Sequence, residues 1–316
     1  MMKPNLLIVH QGAFGDVVAI FPAIIRLHTY FARIDGLCQS QLGKLSAELG
    51  LVTKWYPLET ASFASLYTHR ADQKIEDLLR SYSQIILFSL SSQLEHSVNR
   101  ITRNRCLRLP PKPPADERIH ITEYVFNNLV NYGLLKQADS DIDHYYLLKN
   151  PEGKDNPSKD VAKILIHAGS GSARKRWAIS HFFVLEKMLR SEGLKPEFLL
   201  GPAEEDLMDT VREHGRKIYR LSDLVELVTL LRTAGGYIGN DSGASHLAAF
   251  LGLPSVIIFG PADPERWKPN GPFVEMVRPE LECLPCFETD QTNCCEPKCL
   301  DDTTPQTVIE AFYRVY

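Results

Sequence analysis

The stretch Gly236 to Gly260, GYIGNDSGASHLAAFLGLPSVIIFG, runs from a short apolar segment through a polar turn into an apolar helix and out into a second apolar segment. The segments Gly236 to Gly239 and Ser255 to Gly260 lack the polar-apolar alternation of a half-exposed strand, so they read as strands covered on both faces. The helix between them closes at Gly252, just ahead of Pro254, where a helix is expected to stop. Similar buried-strand segments occur at Asn5 to His10, Gln84 to Leu90, Lys163 to His167 and Glu197 to Gly201. Helical stretches separate them. Ser180 is the expected N-cap of one that closes at Gly193, and Asp223 with Glu226 has capping-box spacing ahead of another. After Asn5 to His10, the turn Gln11 to Gly15 leads into an apolar stretch from Val17 to Tyr30 that reads as one helix. This repeated order predicts an α/β protein with doubly wound parallel sheets and helices on both faces.

A length of 316 residues is too great for one ordinary α/β core and suits two domains of roughly 150 residues each. The polar, Pro-, Gly- and Asn-rich interval Asn150 to Asp160 places the boundary, giving domains 1–150 and 151–316. Pro110 to Pro114 reads as a loop inside the first. Hydrophobic content of 44% and charge of 23% describe a globular chain, and a net charge of -4 argues against a nucleic-acid binder. The longest N-terminal apolar run, Val17 to Ile25, contains Pro22 and is too short to span a membrane or serve as a signal segment, so a cytoplasmic location is expected.

In open parallel sheets ligands bind beyond the carboxyl ends of the strands, which directs attention to four turns. Gly239 to His246 (GNDSGASH) joins a strand to the apolar helix, and its backbone N–H groups and dipole suit a diphosphate, with Gly243 allowing close approach. Asp241 or Ser242 could equally serve only as a cap, and His246 as a buried structural histidine. His167 to Trp177 (HAGSGSARKRW) sets small residues beside three cations, a composition fit for an anion, although a solvated basic face would look similar alone. Gln11 to Asp16 (QGAFGD) puts a carboxylate at a helix start, where it stays ionised and could act as a general base or simply cap the helix. Gly201 to Glu205 (GPAEE) offers two carboxylates able to bind sugar or ribose hydroxyls. Neither a G-x-G-x-x-G dinucleotide fingerprint nor a Walker loop is present: Gly12 and Gly15 have the wrong spacing, and Arg174 stands where a third glycine would follow Gly169 and Gly171.

Together these turns resemble glycosyltransferase family 9, the heptosyltransferases of lipopolysaccharide core assembly, over about the whole chain. The resemblance is carried by Gly15-Asp16-Val17-Val18 with Pro22, Gly169-Ser170-Gly171 with Lys175-Arg176-Trp177, Gly239 to Gly243 with His246-Leu247-Ala248-Ala249, and Leu253-Pro254-Ser255 to Pro261 with Trp267-Lys268-Pro269. Cys283-Leu284-Pro285-Cys286-Phe287 and Cys299-Leu300 are similar to a cysteine-rich tail in that family. Ala178 departs from the family's usual proline after tryptophan, and Gly36 to His69 matches no motif.

The resemblance implies a GT-B fold, two Rossmann-like lobes with an interdomain cleft, an N-terminal acceptor-binding domain and a C-terminal nucleotide-sugar donor domain. It further implies an inverting, metal-independent transfer of heptose or a related sugar from ADP-heptose or a related nucleotide sugar. The acceptor it implies is a glycolipid of the lipopolysaccharide core, met by a cytoplasmic or peripherally bound enzyme at the inner face of the inner membrane. By position, Asp16 would be the base and Lys175 the diphosphate contact. Ser170, Gly171, Asp241, Ser242, Gly243 and His246 would hold the donor, with Glu204 or Glu205 at the acidic donor position. A nucleotide-sugar epimerase and a non-catalytic nucleotide-sugar sensor are the competing functions. No cofactor is required by this mechanism. The cluster Cys283, Cys286, Cys294, Cys295 and Cys299 contains one C-x-x-C pair that could hold a structural zinc, with free thiols or a disulfide as alternatives.

Overall fold

A computed structural model describes residues 3–68, 70–140, 160–280, 285–286 and 298–316. It divides into two compact units, Met1–Pro114 with Ile121–Ile142, and Ala115–His120 with Asp143–Tyr316. The boundary expected at residue 150 falls among residues 141–159, outside the described set. Pro110 to Pro114 carries no helix or strand, as expected, but the six residues after it cluster with the second unit, which composition alone did not indicate.

The first unit holds a parallel five-stranded sheet of β1 (Asn5–His10), β2 (Arg33–Cys38), β3 (Lys54–Pro57), β4 (Gln84–Phe88) and β5 (Cys106–Leu109), in the order β3-β2-β1-β4-β5. The second holds a parallel six-stranded sheet of β6 (Asp160–His167), β7 (Lys195–Leu200), β8 (Ile218–Arg220), β9 (Ala234–Asn240), β10 (Ser255–Ile258) and β11 (Val274–Val277), in the order β11-β10-β9-β6-β7-β8. Each sheet reverses its winding beside its first strand: between β1 and β4 in one, between β6 and β9 in the other. A reversal sends the two neighbouring connections to opposite faces and leaves a crevice at the strand ends, where ligands of such sheets bind.

Both cores follow from the apolar central strands. Leu7, Val9, Ile85 and Leu87 pack with Leu79, Leu94 and Val98 in the first unit, and Ile164, Ile166, Phe198, Ile238 and Val256 with Phe182, Leu185 and Phe312 in the second. Phe312 lies on the last helix, Pro305–Val315, and packs so close to β9 that a Cβ at Gly236 would lie 2.7 Å from its ring. Glycine is required there by that approach.

Two local expectations need correction. The stretch from Val17 to Tyr30 forms two short helices, Phe14–Ala19 and Phe21–Leu27, rather than one. Pro22 lies in the first turn of the second, where its missing N–H costs no intrahelical bond and its fixed φ suits a new start. The helix Ile179–Ser191 is capped at Ala178, so Ser180 lies inside its first turn and is not the N-cap. Asp223 does cap Leu224–Arg232, accepting from the Val225 N–H at 2.7 Å.

Candidate functional site

The strand-end turns of the second unit belong to three neighbouring strands, β9, β6 and β7, so sheet topology alone draws them together. Asn240, fully buried at the end of β9, fastens two of them. Its amide donates to the Ala168 and Gly169 carbonyls (2.8 and 3.2 Å), and its Oδ1 accepts from the Trp177 N–H at 3.0 Å. Ser170 adds a bond from Oγ to the Asp241 carbonyl at 2.8 Å. The Ser170 hydroxyl is thereby committed to holding the loops in register.

Lys175 lies in the short 3-10 turn Ala173–Lys175 and reaches back to Asp241, with Nζ 2.8 Å from Oδ2. Asp241 is only 3% exposed, so its carboxylate is stabilised chiefly by this cation. Next to it, Gly243 opens the helix Gly243–Phe250, and Ser242 is its N-cap, accepting from the Ser245 N–H. Backbone donors and the positive end of the helix dipole thus stand beside a neutralised ion pair. His246 is buried one turn along, and burial pushes its imidazole down to about 4, partly opposed by the Asp241 charge. It is neutral at physiological pH.

The two adjacent glutamates separate. Glu204 is buried, its Oε2 accepting from the Gly201 N–H at 2.7 Å. A Cβ on Gly169 would fall 2.3 Å from the Glu204 Cδ, so the glycine is what admits this carboxyl group to the crevice. Burial pushes the Glu204 carboxyl group up, against the Gly201 bond and the Arg176 charge, which lower it. Glu205 points outward to Arg220 at 3.0 Å and stands apart from this cluster. Gly171 has open space on its Cβ side, so no protein neighbour dictates glycine at that position.

In the first unit, β1 ends at His10 and the turn after it enters Phe14–Ala19, in which Asp16 is half-buried at the third position. Ala13 is the N-cap, so Asp16 is not, but its Oδ2 accepts from the Ala13 N–H at 3.1 Å and braces the helix start. Bracing and proton transfer do not exclude each other, because a carboxylate has two oxygens and several lone pairs. His10, 2% exposed, accepts the Gly12 N–H at Nδ1 (3.0 Å), and burial pushes it to about 4. A Cβ on Gly12 would lie 2.5 Å from His10 Cε1 and 3.0 Å from Asp16 Oδ2, so the histidine and the carboxylate flank one glycine. Across the switch point, the Ser89 hydroxyl after β4 donates to Gln11 Oε1 at 3.1 Å.

Three participants were not singled out from sequence. His167 ends β6 with Nδ1 3.3 Å from Ser242 Oγ and Nε2 4.0 Å from Glu204 Oε2. Tyr237 and Ser245 extend the polar chain behind Ser242, with oxygens 3.0 Å apart. The sequence shows Tyr237 only as a polar residue inside an apolar run, and His167 and Ser245 only as members of the turns quoted above, and nothing in their spacing reports that they meet.

Of the clustered cysteines, Cys286 and Cys299 are described and Cys283, Cys294 and Cys295 lie outside the described residues. Cys299 is packed into the apolar core, while Cys286 faces Arg174. Among the described residues no three His, Cys, Asp or Glu side chains come together as a metal-binding group, so nothing described supports the zinc site. No helix among them is long and apolar enough to cross a membrane.

Comparison with known proteins gives a consistent picture. Residues 122–296 match the model of glycosyltransferase family 9 (heptosyltransferase). The lipooligosaccharide heptosyltransferase 2 of Campylobacter jejuni serotype O:2 is 31% identical over 153 residues, covering 45% of this chain and 47% of that protein. The lipopolysaccharide heptosyltransferase 2 of Salmonella typhimurium is 27% identical over 150 residues, 45% of this chain and 42% of that protein. The chain therefore spans about half the length of the curated relatives it matches. Among solved structures, a family 9 glycosyl transferase from Veillonella parvula superposes with a TM-score of 0.76 at 16% identity, covering 100% of this chain and 98% of the other. The Escherichia coli ADP-heptose heptosyltransferase II gives 0.73 at 18% over 99% and 98%. The Escherichia coli heptosyltransferase WaaC with ADP gives 0.70 at 16% over 99% and 100%. At these identities the likeness is one of fold, and that fold is GT-B, two Rossmann-like lobes.

Proposed function

Because the chain belongs to glycosyltransferase family 9, we propose that it transfers a heptose or a related sugar from ADP-heptose or a related nucleotide sugar to a glycolipid acceptor of the lipopolysaccharide core. The observation that carries this reading is the Lys175–Asp241 pair at the N-terminus of Gly243–Phe250, joined at the switch point by Glu204. The helix N-terminus and Lys175 suit a diphosphate, Asp241 and His246 suit the sugar beside it, and Glu204 suits a hydroxyl of sugar or ribose. Glu204 is preferred to Glu205 because only Glu204 lies in the crevice.

In this mechanism Asp16 takes the proton of an acceptor hydroxyl as its oxygen forms a bond to the anomeric carbon, and the bond from that carbon to the diphosphate breaks. A single displacement from the opposite face inverts the configuration. Negative charge gathers on the departing diphosphate, where Lys175 and the helix N-terminus stabilise it without a metal ion. Lys175 also offsets Asp241, whose carboxylate would otherwise repel the leaving group. Cytoplasmic placement, with peripheral contact at the inner membrane where the acceptor lies, completes the proposal.

The test is calorimetric titration of ADP, UDP and GDP, together with transfer from ADP-heptose to core glycolipid prepared from a heptose-deficient strain. ADP binding in preference to UDP and GDP, with sugar transfer, is the expected result. No affinity for ADP and no transfer would overturn the reading.

A further inference from the structure

We propose that His167 is a positioning residue that ties the Glu204 carboxyl group to the Ser242 hydroxyl, coupling the two ends of a bound nucleoside diphosphate. The inference rests on the nucleotide-sugar reading above and deepens it. His167 ends β6, the strand between β9 and β7, so its ring lies between the loop that carries Ser242 and the loop that carries Glu204. One ring nitrogen faces each: Nδ1 is 3.3 Å from Ser242 Oγ and Nε2 is 4.0 Å from Glu204 Oε2.

Counting protons shows why the connection carries information. Ser242 Oγ has a single proton and already accepts from the Ser245 N–H at 3.4 Å. The Ser245 hydroxyl donates to the Asn240 carbonyl at 2.5 Å, leaving its lone pairs for Tyr237 at 3.0 Å and Ser242 at 3.1 Å. The Ser242 proton thus has two destinations within the protein, Ser245 Oγ and His167 Nδ1. A ring protonated at Nε2 accepts it at Nδ1, whereas a ring protonated at Nδ1 donates to Ser242 instead.

An ionised Glu204 favours the proton on Nε2. At 4.0 Å the carboxylate acts on the ring through its field rather than through a hydrogen bond. A ligand hydroxyl bound to Glu204 therefore alters the direction of the Ser242 hydrogen bond, and a phosphate at the helix N-terminus has the reciprocal effect on Glu204. Burial, helped by the Arg176 charge, keeps the ring neutral, so it transmits orientation rather than charge.

The experiment is a double-mutant cycle on ADP affinity, measured by calorimetry for Glu204→Gln, Ser242→Ala and both together, then repeated with His167→Phe in every chain. With His167 present, the double variant should depart from the product of the single losses by about threefold or more. With phenylalanine, which fills the space without ring nitrogens, the losses should multiply. Multiplicative losses in both backgrounds, or the same departure in both, would overturn the proposal. If the phenylalanine chain does not fold by thermal unfolding, His167→Asn replaces it, retaining an acceptor for Ser242 but no Nε2, and the departure should again vanish. Failure of ADP to bind the unsubstituted protein removes the nucleotide-sugar reading and the coupling together, whereas binding with multiplicative losses removes only the coupling.

Discussion

The turn after β1 and the turn after β6 occupy equivalent places in two sheets of shared strand order, the second with one strand more, yet what surrounds them differs sharply. In the first unit, a glycine separates one histidine from one carboxylate, and Asp16 makes a single hydrogen bond to Ala13. In the second, Asn240, Ser170, Ser242, Ser245, His167, Tyr237 and Glu204 form a continuous polar assembly around the Lys175–Asp241 pair. Shared strand order determines where a ligand is met. The residues decide what that place offers: a buried ion pair within a hydrogen-bonded frame in one unit, a half-buried carboxylate beside a histidine in the other.

The largest expected effect breaks this division of labour if it is wrong. Asp16→Asn retains an oxygen to accept the Ala13 N–H but cannot take a proton at neutral pH. Sugar transfer should fall by about a hundredfold to ten-thousandfold, the range for losing a positioned base. ADP affinity, which the proposal assigns to the other unit, should not change. Steady-state kinetics with calorimetry on one preparation checks both, and a variant that turns over normally would leave Asp16 as a brace of the helix start only.

Lys175→Ala addresses the second unit. Loss of a charge-assisted contact of about 1.5–3 kcal/mol should weaken ADP binding roughly ten- to a hundredfold. The same change leaves the buried Asp241 carboxylate without its cation, so the thermal transition should fall as well. Adding Asp241→Asn should recover part of that stability while leaving ADP binding weak. Unaltered ADP affinity would remove Lys175 from the phosphate site.

The last test concerns pH and reads a slope rather than a fold-change. Burial holds His10, His167 and His246 at about 4, below the ordinary histidine value. Their contribution to stability is therefore complete above about pH 6.5 and is lost as the pH falls toward 4, where the unfolded chain binds protons that the folded chain refuses. Each imidazole contributes a slope of about 1.4 kcal/mol per pH unit inside that window. Denaturant unfolding at several pH values should show a shallower slope for His10→Gln and for His246→Gln, each by about one imidazole. An unchanged slope in either variant would mean that its ring protonates normally in the folded state.

The central strands were legible because burial on both faces writes an uninterrupted apolar run, as in Asn5–His10 and Ser255–Ile258. Five strands were not. β3, β5, β8 and β11 lie at sheet edges and are three or four residues long, with charged or polar members. β2 is interior but contains Asp35 and Gly36, and Asp35 is fully buried because Arg33, Lys54 and Tyr82 partner it. A single chain does not reveal a carboxylate satisfied by residues 19 and 47 positions away. The candidate site divides in the same way. Turns named by their glycines were visible, but the choice between Glu204 and Glu205 depended on which one Gly169 admits, and the role of His167 depended on contacts between three turns.

The triple bonding of Asn240 has a practical consequence for any attempt to alter the proposed donor site. From the end of β9 this one amide holds the loop after β6 at three atoms, so a library that randomises position 240 would release that loop and sample mostly misfolded variants. Position 171 is the more permissive entry point, since a new side chain there starts in open space. The scaffold thus separates a fixed frame from a tunable rim, and selections directed at the proposed donor site should concentrate their diversity on the rim.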